Sequence, residues 1–424
     1  MRRRRFVWWR AAGLGTLACA VACALAVAGC GGGVRKHHRR RPSGPPAPTV
    51  VDVYSSLPLP AADSTVDAIR LALSQAHGRA GGFLVHYISL SDSSGGSAVW
   101  NDVQTAAEAR RAAVDPKAIL YIGDLASGAT EISAPILNEA GIPQITPGSP
   151  YVGLTENVPR VTAPGEPKEY FPSGSRTLLR IVPNDEVEVA AALQALRLDG
   201  CGRIAAAHDD GSVGVTLASL LAREGPQLRM NISSSTEITP RISLSTYATT
   251  IRNQGAECLM LMGTNAPEAV SVARAVHLVL PTIPILGTTG ICNRSWADPA
   301  DGGLPLSFDP VLQCVSSALP TSGWPGGARF LAAYRAAYHG AEPAPTAIFG
   351  YEAMTLGLNT IASLGGAGDS RAALVRALFA IRSTQSVLGV YGFDADGDTT
   401  LRTYGLFRVT NGALTLDRAP LKVP

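Results

Sequence analysis

The chain has 424 residues, 46 % hydrophobic and 6 % aromatic, which is ample for two domains with sizeable cores. Its formal charge of +3 comes from the N-terminus: five arginines precede Cys30 and five basic residues lie between Arg35 and Arg41, so 26 basic residues face 33 acidic ones in the remainder, a net −7. That balance argues against nucleic acid as a partner of the folded body.

In chain order, residues 1–30 read as an export signal: a basic n-region, an uncharged run from Ala11 to Gly29, then VAGC ending at Cys30. The alternative is a retained transmembrane helix, since the run is of borderline length for a bilayer. Residues 31–48 (GGGVRKHHRRRPSGPPAP) form a flexible Gly/Pro-rich and basic tether. His37-His38 reads as a solvated pair, and the seven histidines show no ligand spacing, so neither a metal site nor a cofactor is expected. Cys201, Cys258, Cys292 and Cys314 remain in the body of an exported chain, an even number that suggests two disulfides with three possible connectivities.

From Thr49 a strand and helix rhythm begins. Thr49 to Tyr54 is a β-branched strand, followed by a loop from Ser55 to Asp63, with Ser55 a candidate ligand contact. Ser64 to Ala76 predicts an amphipathic helix with Ser64 as N-cap, and Phe83 to Ile88 the next strand. Trp100, Val103, Ala107 and Val114 mark one apolar face of a further helix. Then comes the stretch on which the functional reading centres, Tyr121 to Pro150 (YIGDLASGATEISAPILNEAGIPQITPGSP). An apolar strand, Ala118 to Ile122, runs into a turn bearing Asp124, Ser127 and Thr130. A helix follows, then a strand from Ile142 to Thr146 that stops in Pro-Gly-Ser-Pro. Hydroxyls, a carboxylate and backbone N–H groups converge there at a helix N-terminus, an arrangement that favours anionic groups. Open α/β sheets bind ligands at such an edge.

The rhythm breaks in a Pro/Gly-rich insertion between Val158 and Thr177 and restarts at Thr177 to Val182, with Asn184-Asp185 capping the next helix. Strands at Arg203 to His208, Met230 to Thr236, Cys258 to Met262, Ile283 to Gly287 and Val311 to Ser316 alternate with helices. The final third predicts three helices, then β-rich sequence at Ser386 to Phe393 and Thr400 to Val409. The expected fold is α/β: two doubly wound parallel-sheet lobes joined by a multi-crossover hinge. Lobe 1 comprises residues 49–180 plus 318–402, and lobe 2 residues 181–317 plus 403–424.

The turn IGxxxSxxT followed by GIPxITP, RxxPND from Arg180 to Asp185, RIAxxHDD from Arg203 to Asp210, and LGVYGFDADGDTT from Leu388 to Thr400 together resemble the type I periplasmic binding proteins of the leucine/isoleucine/valine-binding kind, and the insertion PGEPKEYFPSGSRT resembles one found in actinobacterial-type members. The resemblance covers about Thr49 to Leu416. VAGC likewise resembles a lipobox, which implies lipidation at Cys30 and a lipoprotein on the outer face of the cytoplasmic membrane. The family implies a monomeric substrate-binding component of an ABC importer, partnered by a permease and closing on a small amino acid, amide or carboxylate. On that resemblance Ser127 and the Gly148-Ser149 turn hold the anionic end of the ligand. The second-lobe positions, which in the family carry an aromatic and an acidic residue, are Asn265 and Thr289, with Asp124, Asp209, Asp210 or Glu268 as possible substitutes for the missing acid. With a second-lobe strand order 2-1-3-4-5, neighbouring strands about 4.8 Å apart would pair Cys201 with Cys258 and Cys292 with Cys314.

Other functions compete with import. One is a ligand-sensing subunit of an extracytoplasmic signalling system; another is a cell-envelope hydrolase using Ser127 or Ser149, for which His208 is the sole base candidate near a strand end. No Walker loop, G-x-S-x-G or H-E-x-x-H occurs. Asp394, Asp396 and Asp398 mimic the start of an EF-hand loop, but Thr399 stands where that loop needs glycine, so they read as a hairpin turn.

Overall fold

The computed structural model describes residues 48–423 except Gly96 and Ala98; the expected export signal, Cys30 and the expected tether up to residue 47 lie outside the described residues. The first sheet contains β1 (Val50–Ser56), β2 (Arg79–Ala80), β3 (Phe83–Leu90), β4 (Ala118–Ile122), β5 (Gln144–Thr146) and β6 (Leu178–Arg180), in the order β2-β3-β1-β4-β5-β6. All pairings are parallel except β2 with β3. β4, with the sequence AILYI, is buried throughout, as a strand covered on both faces must be.

Helices α1 (Asp63–Gln75), α2 (Asp102–Val114) and α3 (Ser127–Glu139) connect these strands. Ser64 is not the cap of α1: the helix begins one residue earlier, and the Ser64 hydroxyl instead accepts the Ala344 N–H at 3.2 Å. The expected apolar face of α2 also turns outward. Val103 and Val114 are 78 % and 81 % exposed, while Thr105, Ala109 and Ala112 are buried. The face of α2 that packs on its neighbours is made of small side chains, Ala109 and Ala112 joining the cluster of Tyr54, Tyr121 and Leu137.

The second sheet begins with β7 (Arg203–His208), β8 (Asn231–Glu237), β9 (Cys258–Met262), β10 (Ile285–Gly287) and β11 (Leu312–Ser316), which run β8-β7-β9-β10-β11. This is the predicted 2-1-3-4-5 order. Helices α4 (Asp185–Leu198), α5 (Ser212–Gln227), α6 (Leu244–Asn253), α7 (Ala266–His277) and α8 (Arg294–Ala297) accompany it. Asn184 caps α4 by accepting the Val187 N–H at 3.3 Å. Disulfides join Cys201 to Cys258 and Cys292 to Cys314, with Cα separations of 6.1 and 5.5 Å.

The chain then returns to the first lobe as α9 (Gly327–Ala337), α10 (Ala347–Ser363), α11 (Arg371–Phe379) and a hairpin of β12 (Thr384–Ser386) and β13 (Gly389–Tyr391). α10 lies close on β4 because Gly357 leaves room for Leu120, which any Cβ there would strike. The last strands add to the second sheet as a hairpin: β14 (Thr403–Thr410) pairs antiparallel with β11, and β15 (Ala413–Lys422) pairs antiparallel with β14. Their turn, Asn411-Gly412, has both φ angles positive, the conformation of a two-residue hairpin turn. The chain therefore passes between the sheets after β6, after β11 and again before β14.

Candidate functional site

A cavity of about 90 Å³ lies between elements of the two sheets. The first lobe supplies Pro147, Gly148 and Pro150 from the turn after β5, and Thr346 and Phe349 from the start of α10. From the other side come Glu188 on α4, Thr289 after β10 and Tyr404 on β14. Val182, Ser317 and Ala318, on the connections between the sheets, complete the wall.

The turn Pro147 to Pro150 is held from below. Thr146 Oγ1 donates to the Asp124 carbonyl at 2.6 Å and accepts the N–H groups of Gly148 and Ser149 at 3.2 and 3.0 Å. The Ser149 hydroxyl pairs with that of Thr130 at 2.7 Å and donates to the Asp124 carbonyl at 3.1 Å. Ser127 Oγ accepts the Tyr151 N–H at 3.1 Å. Gly148 packs so closely on Leu125 that a Cβ would fall 2.8 Å from its carbonyl oxygen. The N–H groups of the turn are thus committed within the chain, whereas the carbonyls of Pro147 and Gly148 accept no hydrogen bond among the described residues.

Among the predicted site residues, the cavity brings together Gly148 and Thr289. Ser127 and Ser149 form the frame of its first-lobe wall. Ser55 is fully buried, with its hydroxyl 2.6 Å from that of Tyr87. Asp124 is also fully buried and receives hydrogen bonds from Ser133 and Tyr121. Burial, with the charge of Asp92, pushes its carboxyl up to about 8 against the opposing Ser133 hydrogen bond. Asp210 is exposed, and Asn265 caps α7, accepting the Glu268 N–H at 3.3 Å, beside a separate hollow near Asp209. Asp209 organises that loop by accepting the N–H groups of Thr264 and Asn265 at 2.7 and 3.0 Å.

Glu188 escaped the sequence reading. It is 2 % exposed, and its Oε1 accepts the Thr289 N–H at 2.6 Å. Burial raises its pKa, and the hydrogen bonds of Thr289 and Tyr404 only partly oppose this; no basic residue contributes. The one available signal was an acid at the fourth helical position, between two valines that are themselves buried.

Beside the cavity, Arg180 at the end of β6 is fully buried. Its Nε meets Asp398 Oδ1 at 2.5 Å, and one terminal nitrogen donates to the carbonyls of Ser149 and Tyr151 at 3.1 and 2.8 Å. The other donates to Thr155 Oγ1. Asp398 Oδ2 in turn accepts from the Asn184 side chain at 3.0 Å. One ion pair thus ties the turn, the departure point of the first crossing and the cap of α4 to the Asp394–Asp398 hairpin turn. In that turn Asp394 accepts the N–H groups of Asp396 and Asp398, each at 2.9 Å, and the described residues contain no group of three potential metal ligands.

The sequence pattern of the periplasmic binding protein family matches residues 52–413, the two lobes and the connections between them. The chain belongs to that family. No curated protein matches it. Among solved structures it is similar to the leucine-binding protein LivK of Thermotoga maritima, at 18 % identity, TM-score 0.66, covering 87 % of this chain and 98 % of that one. LivJ of Streptococcus pneumoniae in complex with isoleucine aligns at 16 % identity and TM-score 0.68, over 89 % of this chain and 100 % of that one. A solute-binding protein from R. palustris in complex with 4-hydroxybenzoate aligns at 16 % identity and TM-score 0.68, over 88 % and 98 %. At these identities the likeness is one of fold, the two-lobed architecture of type I periplasmic binding proteins. No helix among the described residues of this family member is long and apolar enough to cross a membrane.

Proposed function

We propose that the protein is the solute-binding component of an ABC importer, tethered through a lipid on Cys30, and that it captures a small amino acid or related amide between its lobes. The lobes would comprise residues 49–180 plus 318–402 and 181–317 plus 403–424. The observation that carries the ligand class is the chemistry of the interlobe cavity. Among the described residues, Glu188 presents a buried carboxylate with no basic partner, and the carbonyls of Pro147 and Gly148, on the first-lobe wall, accept no hydrogen bond. Such a wall lacks a hydrogen-bonding cation, and an ammonium group supplies both charge and donors. Phe349, Val182 and Tyr404 offer apolar surface beside it. The N–H groups of Ser127 and Gly128 at the start of α3, which donate no hydrogen bond among the described residues, suit the carboxylate end of the same ligand. Binding to both sides at once stabilises the closed arrangement over the open one, which a permease can recognise.

Structural neighbours bind leucine, isoleucine or benzoates, so the family accommodates both ammonium-bearing and purely anionic ligands. Glu188 favours the former here. A thermal-shift screen of amino acids, amides, short peptides and small carboxylates tests the reading, since a ligand at 100 times its Kd stabilises by about 2.7 kcal/mol. The expected hits carry an ammonium group, and Glu188→Gln weakens them on the order of tenfold or more. Hits confined to carboxylates without an amine, or equal binding by the variant, would refute the role of Glu188. The absence of any hit would count against small-molecule capture.

A further inference from the structure

The largest cavity among those described is not between the lobes. It is a groove of about 570 Å³ in the first lobe, walled by α9, α10, α11 and the β12-β13 hairpin. Its volume falls in the range of small-molecule sites, several times that of the interlobe cavity.

The groove contains hydrogen-bonding capacity that the fold does not use. The side chains of Arg329, Asn359, Thr384 and Gln385 line it and form no hydrogen bonds among the described residues. Glu352, also in its wall, is 2 % exposed; its Oε1 accepts the Tyr391 hydroxyl at 2.8 Å, and its Oε2 has no partner. Thr355 and Thr360 donate back to the carbonyls of Tyr351 and Leu356 at 2.8 and 2.7 Å, which leaves their oxygens able to accept. Between these polar groups lie Phe330, Leu356, Ile381 and the half-buried ring of Tyr351.

The charges lining the groove are one carboxyl and one guanidinium, so it carries no net preference for an anion or a cation. Amides and hydroxyls, each able to donate and accept, match groups that do the same, and the intervening apolar surface matches C–H faces. We propose that this groove is a second ligand site, separate from the interlobe cavity, for a small neutral polyhydroxylated molecule of mono- or disaccharide size.

The test uses the full-length protein and four probes, glucose, galactose, maltose and sucrose, with binding read by saturation-transfer NMR and titration calorimetry. At least one probe is expected to bind. The double variant N359A/Q385A, which alters two exposed side chains, is expected to weaken it about tenfold or more, because two hydrogen bonds at about 1 kcal/mol each are lost. Its melting temperature, and the thermal shift given by any ligand of the interlobe cavity, should not change. Binding by none of the four probes overturns the proposal, as does binding that the double variant leaves intact. Displacement of a bound probe by simple primary amines, with stronger binding by the amine, would overturn the neutral ligand class.

Discussion

Removing the carboxylate of Asp398 tests how far one buried ion pair holds the crossing region together. In Asp398→Ala, Arg180 remains fully buried with its charge uncompensated, and Asn184 and Thr155 lose an acceptor. Breaking a buried pair by deleting one partner costs about 3–5 kcal/mol. Arg180 keeps two carbonyls and the Thr155 hydroxyl as acceptors, which places the expected loss near the low end, about 3 kcal/mol. The assay is equilibrium urea unfolding followed by tryptophan fluorescence, with the slope m checked for constancy so that a shift in midpoint reads as stability. Adding Arg180→Met removes the stranded charge, so the double variant should be less destabilised than the sum of the two single ones. A loss below about 1 kcal/mol for Asp398→Ala, or strict additivity in the double variant, would show that the pair is not what fastens the turn, β6 and α4.

The two disulfides close loops of 57 and 22 residues, so replacing each pair by serines should cost about 4 kcal/mol for Cys201–Cys258 and about 3 kcal/mol for Cys292–Cys314. Peptide mapping that found either pairing exchanged would refute the topology argument. Asp124 gives a pH prediction: its folded pKa is raised from an ordinary value to about 8, so the folded state holds a proton that the unfolded chain gives up near pH 4. Its contribution is present below pH 4 and is lost as pH rises through 8, so stability should decline across that window. Asp124→Asn should flatten the decline in melting temperature between pH 5 and 8; an unchanged slope would rule Asp124 out as its source.

The parts of the fold that were legible in the sequence are those set by short-range pattern. The apolar strands Ala118–Ile122 and Cys258–Met262 and the helix Leu244–Asn253 lie where their residue patterns placed them, because burial on both faces or a 3.6 period leaves little choice. α2 shows how such a pattern misleads: valines at apparently regular spacing marked the expected face, yet Thr105, Ala109 and Ala112 are the residues that are buried. The final strand was missed although Asn411-Gly412 announces its hairpin.

The interlobe cavity was harder to read for a different reason. Its chemistry depends on which polar groups remain unpaired after folding, and its walls come from residues as far apart in sequence as Pro147 and Tyr404. The turn after β5 reads locally as a source of N–H donors for an anion. In the folded chain, Thr146 takes up the N–H groups of Gly148 and Ser149, and Thr130 and Tyr151 engage the hydroxyl groups of Ser149 and Ser127. What this turn leaves available is carbonyl oxygen. Glu188, which reads in sequence as one of several acids favouring a helix N-terminus, is turned inward to meet Thr289. On the proposed function, the long-range contact therefore reverses the sign of the group that this wall of the cavity would hold, from anion to cation, without changing any residue that local reading had identified.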